Sequence, residues 1–191
     1  MKHVKSNYMK RTILLFTLLA LGASAYAQTV YMTRSGQVSF FSKTPMENIE
    51  AVNNEVTSML NPASGEVVFA VLIKSFRFEK ALMEEHFNEN YMESDKLPKS
   101  TFQGKITNLE SIDFAKDGTY AATIEGDLTI HGVKQHVVST GTLVVSKDKI
   151  TATSVFPVKP SDYKISIPSL VSEKIASSIE VKINCQYVPK S

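Results

Sequence analysis

His86, His131 and His136, the lone Cys185 and the carboxylates Glu84, Glu85 and Glu89 are the side chains whose types could carry chemistry. A zinc site needs three or four ligands converging on one point, usually from a short helical pair or from facing strands. His131 and His136 flank a turn and could approach each other. Glu85 and His86 are successive residues, about 100° apart on a helix, and converge poorly. Cys185 falls on the apolar phase of an alternating segment, where a cysteine behaves as a small buried hydrophobe. The three glutamates belong to the polar face of one helical stretch. There is no Gly-x-Ser-x-Gly elbow, glycine-rich phosphate loop or dinucleotide fingerprint. These residues form no catalytic constellation, so the expectation is a protein that is not an enzyme, with no metal and no cofactor.

The elements around them tell more. From Ile175 to Tyr187 the residues Ile175, Ser177, Ile179, Val181, Ile183, Cys185 and Tyr187 share one phase, against Lys174, Ala176, Ser178, Glu180, Lys182, Asn184 and Gln186 on the other. Successive strand side chains point to opposite faces, so one face is mainly apolar and the other polar. The same period runs through 120–131, 137–145 and 150–158, and less cleanly through 36–42, 66–78 and 101–109. Strands of 11 to 13 residues would be about twice the usual length. A closed barrel removes the edges that such strands would expose. Asp117-Gly118 predicts a hairpin between 106–114 and 119–131, Gly132 a turn with positive φ, and Lys147-Asp148-Lys149 a short link. Glu79 to Asn90 has helical spacing through Leu82, Met83, His86 and Phe87, and 45–60 suggests a second, weaker helix. The predicted fold is mainly β: an extended eight-stranded antiparallel lipocalin-like barrel with one or two short helices.

Residues 1–27 read as an export signal. Lys10 and Arg11 precede the apolar run Ile13 to Leu21, which is short of the roughly 20 residues that cross a bilayer. Ala25-Tyr26-Ala27 supplies small residues for cleavage before Gln28. Residues 28–191 then form one domain, periplasmic or secreted, with 17 basic and 19 acidic side chains. That balance gives no reason to expect nucleic acid, which needs clustered Lys and Arg. An outer-membrane barrel is disfavoured too, because charges such as Glu125, Asp127 and Glu180 would sit in hydrocarbon if they faced outward. The processed chain is therefore not expected to span a membrane, and a homodimer stays open.

The segment GDLTIHGVKQHV, Gly126 to Val137, resembles the YceI-like family of polyisoprenoid- and lipid-binding proteins. The resemblance rests on Gly126, Leu128-Thr129-Ile130 and Gly132-Val133. It also rests on EHFNENYMESDKLPKSTFQGKI, Glu85 to Ile106, with its Pro98 and Phe102. It extends over nearly all of 28–191 and implies a lipocalin-like barrel with an apolar tunnel. Many members carry Arg-Asp-x-His before the loop, whereas this chain has FEKALMEEHF, keeping only His86, and it has no Trp.

On this reading Phe40, Phe102, Tyr120, Ile124, Leu128, Leu143, Phe156, Ile179 and Ile183 point inward and line a cavity. Small residues such as Gly126, Ser139, Gly141 and Ala152 leave room between them. Arg77, His86 and Lys105 are the candidates for a polar grip at the mouth. The expected partner is an amphiphilic lipid, an isoprenoid or fatty acyl compound. The alternative is a filled barrel acting as a scaffold or stress-related interaction protein without a lipid.

Overall fold

The computed structural model describes residues 29–190, so the expected signal segment lies outside the described residues. Nine strands follow in order: β1 (Tyr31–Lys43), β2 (Asn48–Leu60), β3 (Glu66–Leu72), β4 (Arg77–Phe78), β5 (Lys99–Ile106), β6 (Gly118–Ile130), β7 (Val133–Ser146), β8 (Lys149–Val158) and β9 (Ile179–Pro189). Eight of them form an antiparallel wall in the order β1-β9-β8-β7-β6-β5-β3-β2, and β1 pairs with β2 to close it. The short β4 pairs with Ala51 and Val52 of β2, beyond the point where β3 leaves the wall. Among the described residues the one α-helix, α1 (Ala81–His86), runs into a π-turn over Phe87–Tyr91.

The strands give the barrel two unlike ends. One end carries the turn 61–65, the loop 107–117, the turn 147–148 and both described ends of the chain. Here Leu60, Ile106, Leu143, Ile150, Cys185 and Tyr187 pack into a solid plug. Tyr187 is 1 % exposed, its hydroxyl is 2.8 Å from Ser58 Oγ, and Ser58 Oγ donates to the carbonyl of Val68 at 2.7 Å. Burial pushes the Cys185 thiol up to about 11 and raises the Tyr187 phenol, so both stay neutral. The other end carries the turn 44–47, the segment 73–98, the turn 131–132 and the segment 159–178.

The expected second helix in 45–60 is instead the 13-residue strand β2. Two features hide its period. Asn53 and Ser58 are polar yet buried, at 0 % and 1 % exposure, and Asn54-Glu55 puts two exposed residues in succession. That slip faces the register shift between Gly36 and Val38 in β1, the signature of a bulge. Asn53 is satisfied where it is, donating to the Leu72 carbonyl at 2.8 Å and accepting from the Glu55 amide at 2.8 Å.

The expected strand over 106–114 is also absent. β5 ends at Ile106, and the loop folds under the barrel with Leu109, Ile112 and Phe114 packed on the plug. Asn108 stands in for a strand partner, accepting from the Thr123 amide and donating to the Ala121 carbonyl. Residues 175–178, expected to extend the last strand, belong to the segment preceding β9.

Gly126 and Gly141 allow close approach of neighbouring strands. A Cβ on Gly126 would fall on the Gln103 carbonyl and on Gly104, its partner across the ladder. One on Gly141 would lie 2.6 Å from the Thr153 carbonyl oxygen. Close approach of the neighbouring strand accounts for both glycines, and Gly141 also lines the interior.

On the outer face His136 sits between two carboxylates, 3.2 Å from Asp127 and 3.1 Å from Glu125. These hydrogen bonds, Asp127's the larger, raise its pKa above the ordinary 6.5. A raised folded-state pKa contributes stability that is fully present below the unfolded value and is lost as pH rises through the folded one.

Two outcomes follow from these contacts. Gly126→Ala loses about 1–3 kcal/mol of stability by overpacking, read as a lower midpoint in urea with an unchanged slope. In an NMR titration, His136 ring protons inflect above 6.5, and Asp127→Asn moves that inflection down.

Candidate functional site

Above the plug the barrel is hollow, enclosing a cavity of about 820 Å³. Phe40, Phe102, Ile124, Leu128, Leu143, Phe156, Ile179 and Ile183 all line it. They do so because they occupy the inward phase of β1, β5, β6, β7, β8 and β9, with Leu143 belonging to the top of the plug that floors the cavity. Tyr120 does not line it. It lies near the start of β6, packs on the plug, and its hydroxyl donates to the Lys116 carbonyl at 3.1 Å.

The cavity also has apolar walls that alternation does not reveal. Phe76, Phe78 and Phe87, from the segment between β3 and β5, gather on Phe40 with ring centroids 5.1–5.7 Å apart. Such tilted and edge-on pairs add to the burial of the rings. Across from them the 159–178 segment contributes Tyr163, Ile165, Ile167 and Val171. These irregular segments carry no strand period, and only their density of large apolar residues marks them in the sequence.

The three polar candidates are not brought together. His86 is exposed and lines the open end of the cavity. Arg77 lies off the lining, with its guanidinium paired to Glu84 at 2.9 Å and bonded to the Lys74 carbonyl at 3.0 Å. Lys105 is exposed on the outward phase of β5, next to the buried Ile106 at the plugged end. A side chain there points away from the interior. The charged groups that do reach the lining with His86 are Glu47, Lys80 and Lys174. Lys80 and Glu47 pair at 3.3 Å across the opening.

His131 has a different task. It occupies the turn between β6 and β7 with φ of 50°, beside Gly132 at 72°. Its Nδ1 is 3.3 Å from the Tyr163 carbonyl and its Nε2 is 3.2 Å from the Glu93 carboxylate. Both partners are acceptors, and the ring bridges them. One side chain thereby ties the 73–98 and 159–178 segments to the same turn. Lys96 and His131 hold the Glu93 carboxyl below its ordinary value. His131 and His136 thus face separate partners. Among the described residues no group of three or more His, Cys, Asp or Glu is placed to hold a metal ion.

The geometry amounts to an apolar tube, plugged at one end, with a few charged groups at the other. Its fold has known counterparts. A polyisoprenoid binding domain from Saccharophagus degradans, implicated in plant cell wall breakdown, superposes with a TM-score of 0.74 at 13% identity, covering 85% of this chain and 99% of that one. BcnA of Burkholderia cenocepacia gives 0.67 at 19% identity, over 79% of this chain and 95% of its own. The YCEI protein of Campylobacter jejuni gives 0.58 at 19% identity, over 74% and 85%. A search of curated proteins finds no match. The model of the YceI-like domain matches residues 27–187, and on that span and this barrel the chain is a member of the YceI-like family.

Proposed function

We propose that this protein is an exported carrier that encloses the hydrocarbon chain of an isoprenoid, fatty acyl or similar amphiphile, and that it is not an enzyme. The observation that carries this reading is the cavity of about 820 Å³ with its aromatic and aliphatic lining. Its size falls within the roughly 300–1,000 Å³ of sites that bury small molecules. A filled scaffold would have no such space. The polyisoprenoid-binding domain among the structural counterparts supports the ligand class, and the apolar run before Gln28 supports export.

Energetics suit reversible carriage. Burying a CH₂ group is worth about 0.8 kcal/mol, so a chain of about 20 carbons gains roughly 16 kcal/mol on leaving water. A bilayer offers the same chain a similar gain. Transfer between the two is then close to balanced, and the polar head is left to the charged rim at Glu47, Lys80, His86 and Lys174.

The test is to purify residues 28–191, record native mass spectra, and identify extracted lipids. One amphiphile per protein is expected, directly or after incubation with vesicles, and an empty protein that takes up none overturns the proposal. Ile183→Asp or Ile124→Asp places an unpaired charge in the cavity. Each should abolish uptake and cost the fold at least about 2 kcal/mol, measured by urea denaturation.

A further inference from the structure

The wall of the barrel is not whole. β7 and β8 pair only from Gly141–Ser154 down to Ser146–Lys149. Above that point residues 133–140 of β7 pair with β6 alone, and residues 155–158 of β8 pair with β9 alone. At about 3.4 Å per residue the split runs roughly 14 Å along β8 and further along β7. Pro157, which has no N–H, sits in the freed part of β8, and proline is tolerated in a sheet where one edge is unpaired.

The cavity reaches through this split. Beside the split its lining includes the inward residues Val137, Ser139 and Phe156, and also Val138 and Pro157 from the outward phase, where the β7–β8 ladder is missing. The outer rim carries an apolar patch at Val138, 63 % exposed, and Val155, 55 % exposed, with the polar Lys134 and His136 further along the freed part of β7. The neighbouring outward positions of β6 are Glu125, Asp127 and Thr129. At its foot the split is closed by Ser154, whose hydroxyl donates to the freed Thr140 carbonyl at 2.7 Å and lies 3.1 Å from Ser139 Oγ. At its head the 160–163 turn is held to β7 by Gln135, which donates to the Asp162 carbonyl at 2.8 Å.

We propose that this split is a lateral portal, through which the hydrocarbon chain of an amphiphile slides between a bilayer and the cavity. The inference rests on the carrier reading and adds the route. Passage through the end of the barrel would draw an apolar chain lengthwise past the charges of Glu47, Lys80 and Lys174. A side opening admits the chain along its flank between Val138 and Val155, while the head group stays at the charged rim.

The experiment uses the buried, unreactive Cys185, which leaves an introduced cysteine as the only labelling site. Val155→Cys and Val138→Cys at the portal, Leu170→Cys on the end segment and Val188→Cys at the plugged end are each coupled to a bulky maleimide. Transfer of cis-parinaric acid from protein to phosphatidylcholine vesicles is followed by stopped-flow fluorescence. Adducts at 155 and 138 should slow transfer at least about tenfold relative to the adduct at 188. Equal rates at 155, 138 and 188, or slowing by the adduct at 170 alone, overturn the portal while leaving the carrier reading intact. Failure of the unlabelled protein to take up the probe overturns both.

Discussion

The ladder between β1 and β2, from Tyr31–Leu60 to Lys43–Asn48, joins the two margins of the sheet and turns it into a tube. An open sheet of these strands would expose two long edges and could not hold an empty interior, because its apolar face would have to be covered by something else. Closure is achieved at a cost in regularity. The strands slip register around Gly36 and Val38, and a Cβ on Gly36 would lie 2.5 Å from Cys185 Sγ. Between β5 and β6, Gly104 faces Gly126 with no side chain on either, and a Cβ on one would fall on the other.

Closure alone does not make a cavity. Eight strands leave an interior that side chains can fill, and in the lower part they do. Tyr187, Leu60 and Ile150 are each at most 2 % exposed there, and Asn108 and the 107–117 loop finish the floor. In the upper part the strands carry alternating large and small residues, and the segments 73–98 and 159–178 cover the top without descending to fill it. The division of labour is physical. The plug supplies the packing that stabilises the fold, which frees the rest of the barrel from having to be solid.

Much of this was legible in the sequence, for reasons that differ by element. β6 to β9 have one buried and one solvated face, so their period of two survives intact, and six of their seven inward residues, all but Tyr120, lie on the cavity. β2 was obscured by its bulge and by Asn53 and Ser58, polar residues whose burial depends on hydrogen bonds to Leu72 and Val68 that no local pattern announces. Tyr120 has the right phase, but phase says which face a side chain takes and not how far along the barrel it lies. The polar candidates fared worst. Charge marks Lys105 and Arg77 in the sequence, while their directions are set by strand phase in one case and by a carboxylate seven residues away in the other. The segment 73–98 has no period, so the phenylalanines it lends to the cavity were visible only as composition.

The two described ends of the chain meet beside the plug, where the Lys190 amide donates to the Val30 carbonyl at 2.7 Å. Both described ends therefore lie at the sealed base. A tether, fusion partner or solid support joined there would present the barrel mouth-outward, like a cup fixed by its foot. Joining the ends to each other by a short linker would leave the fold's connectivity free to be cut elsewhere.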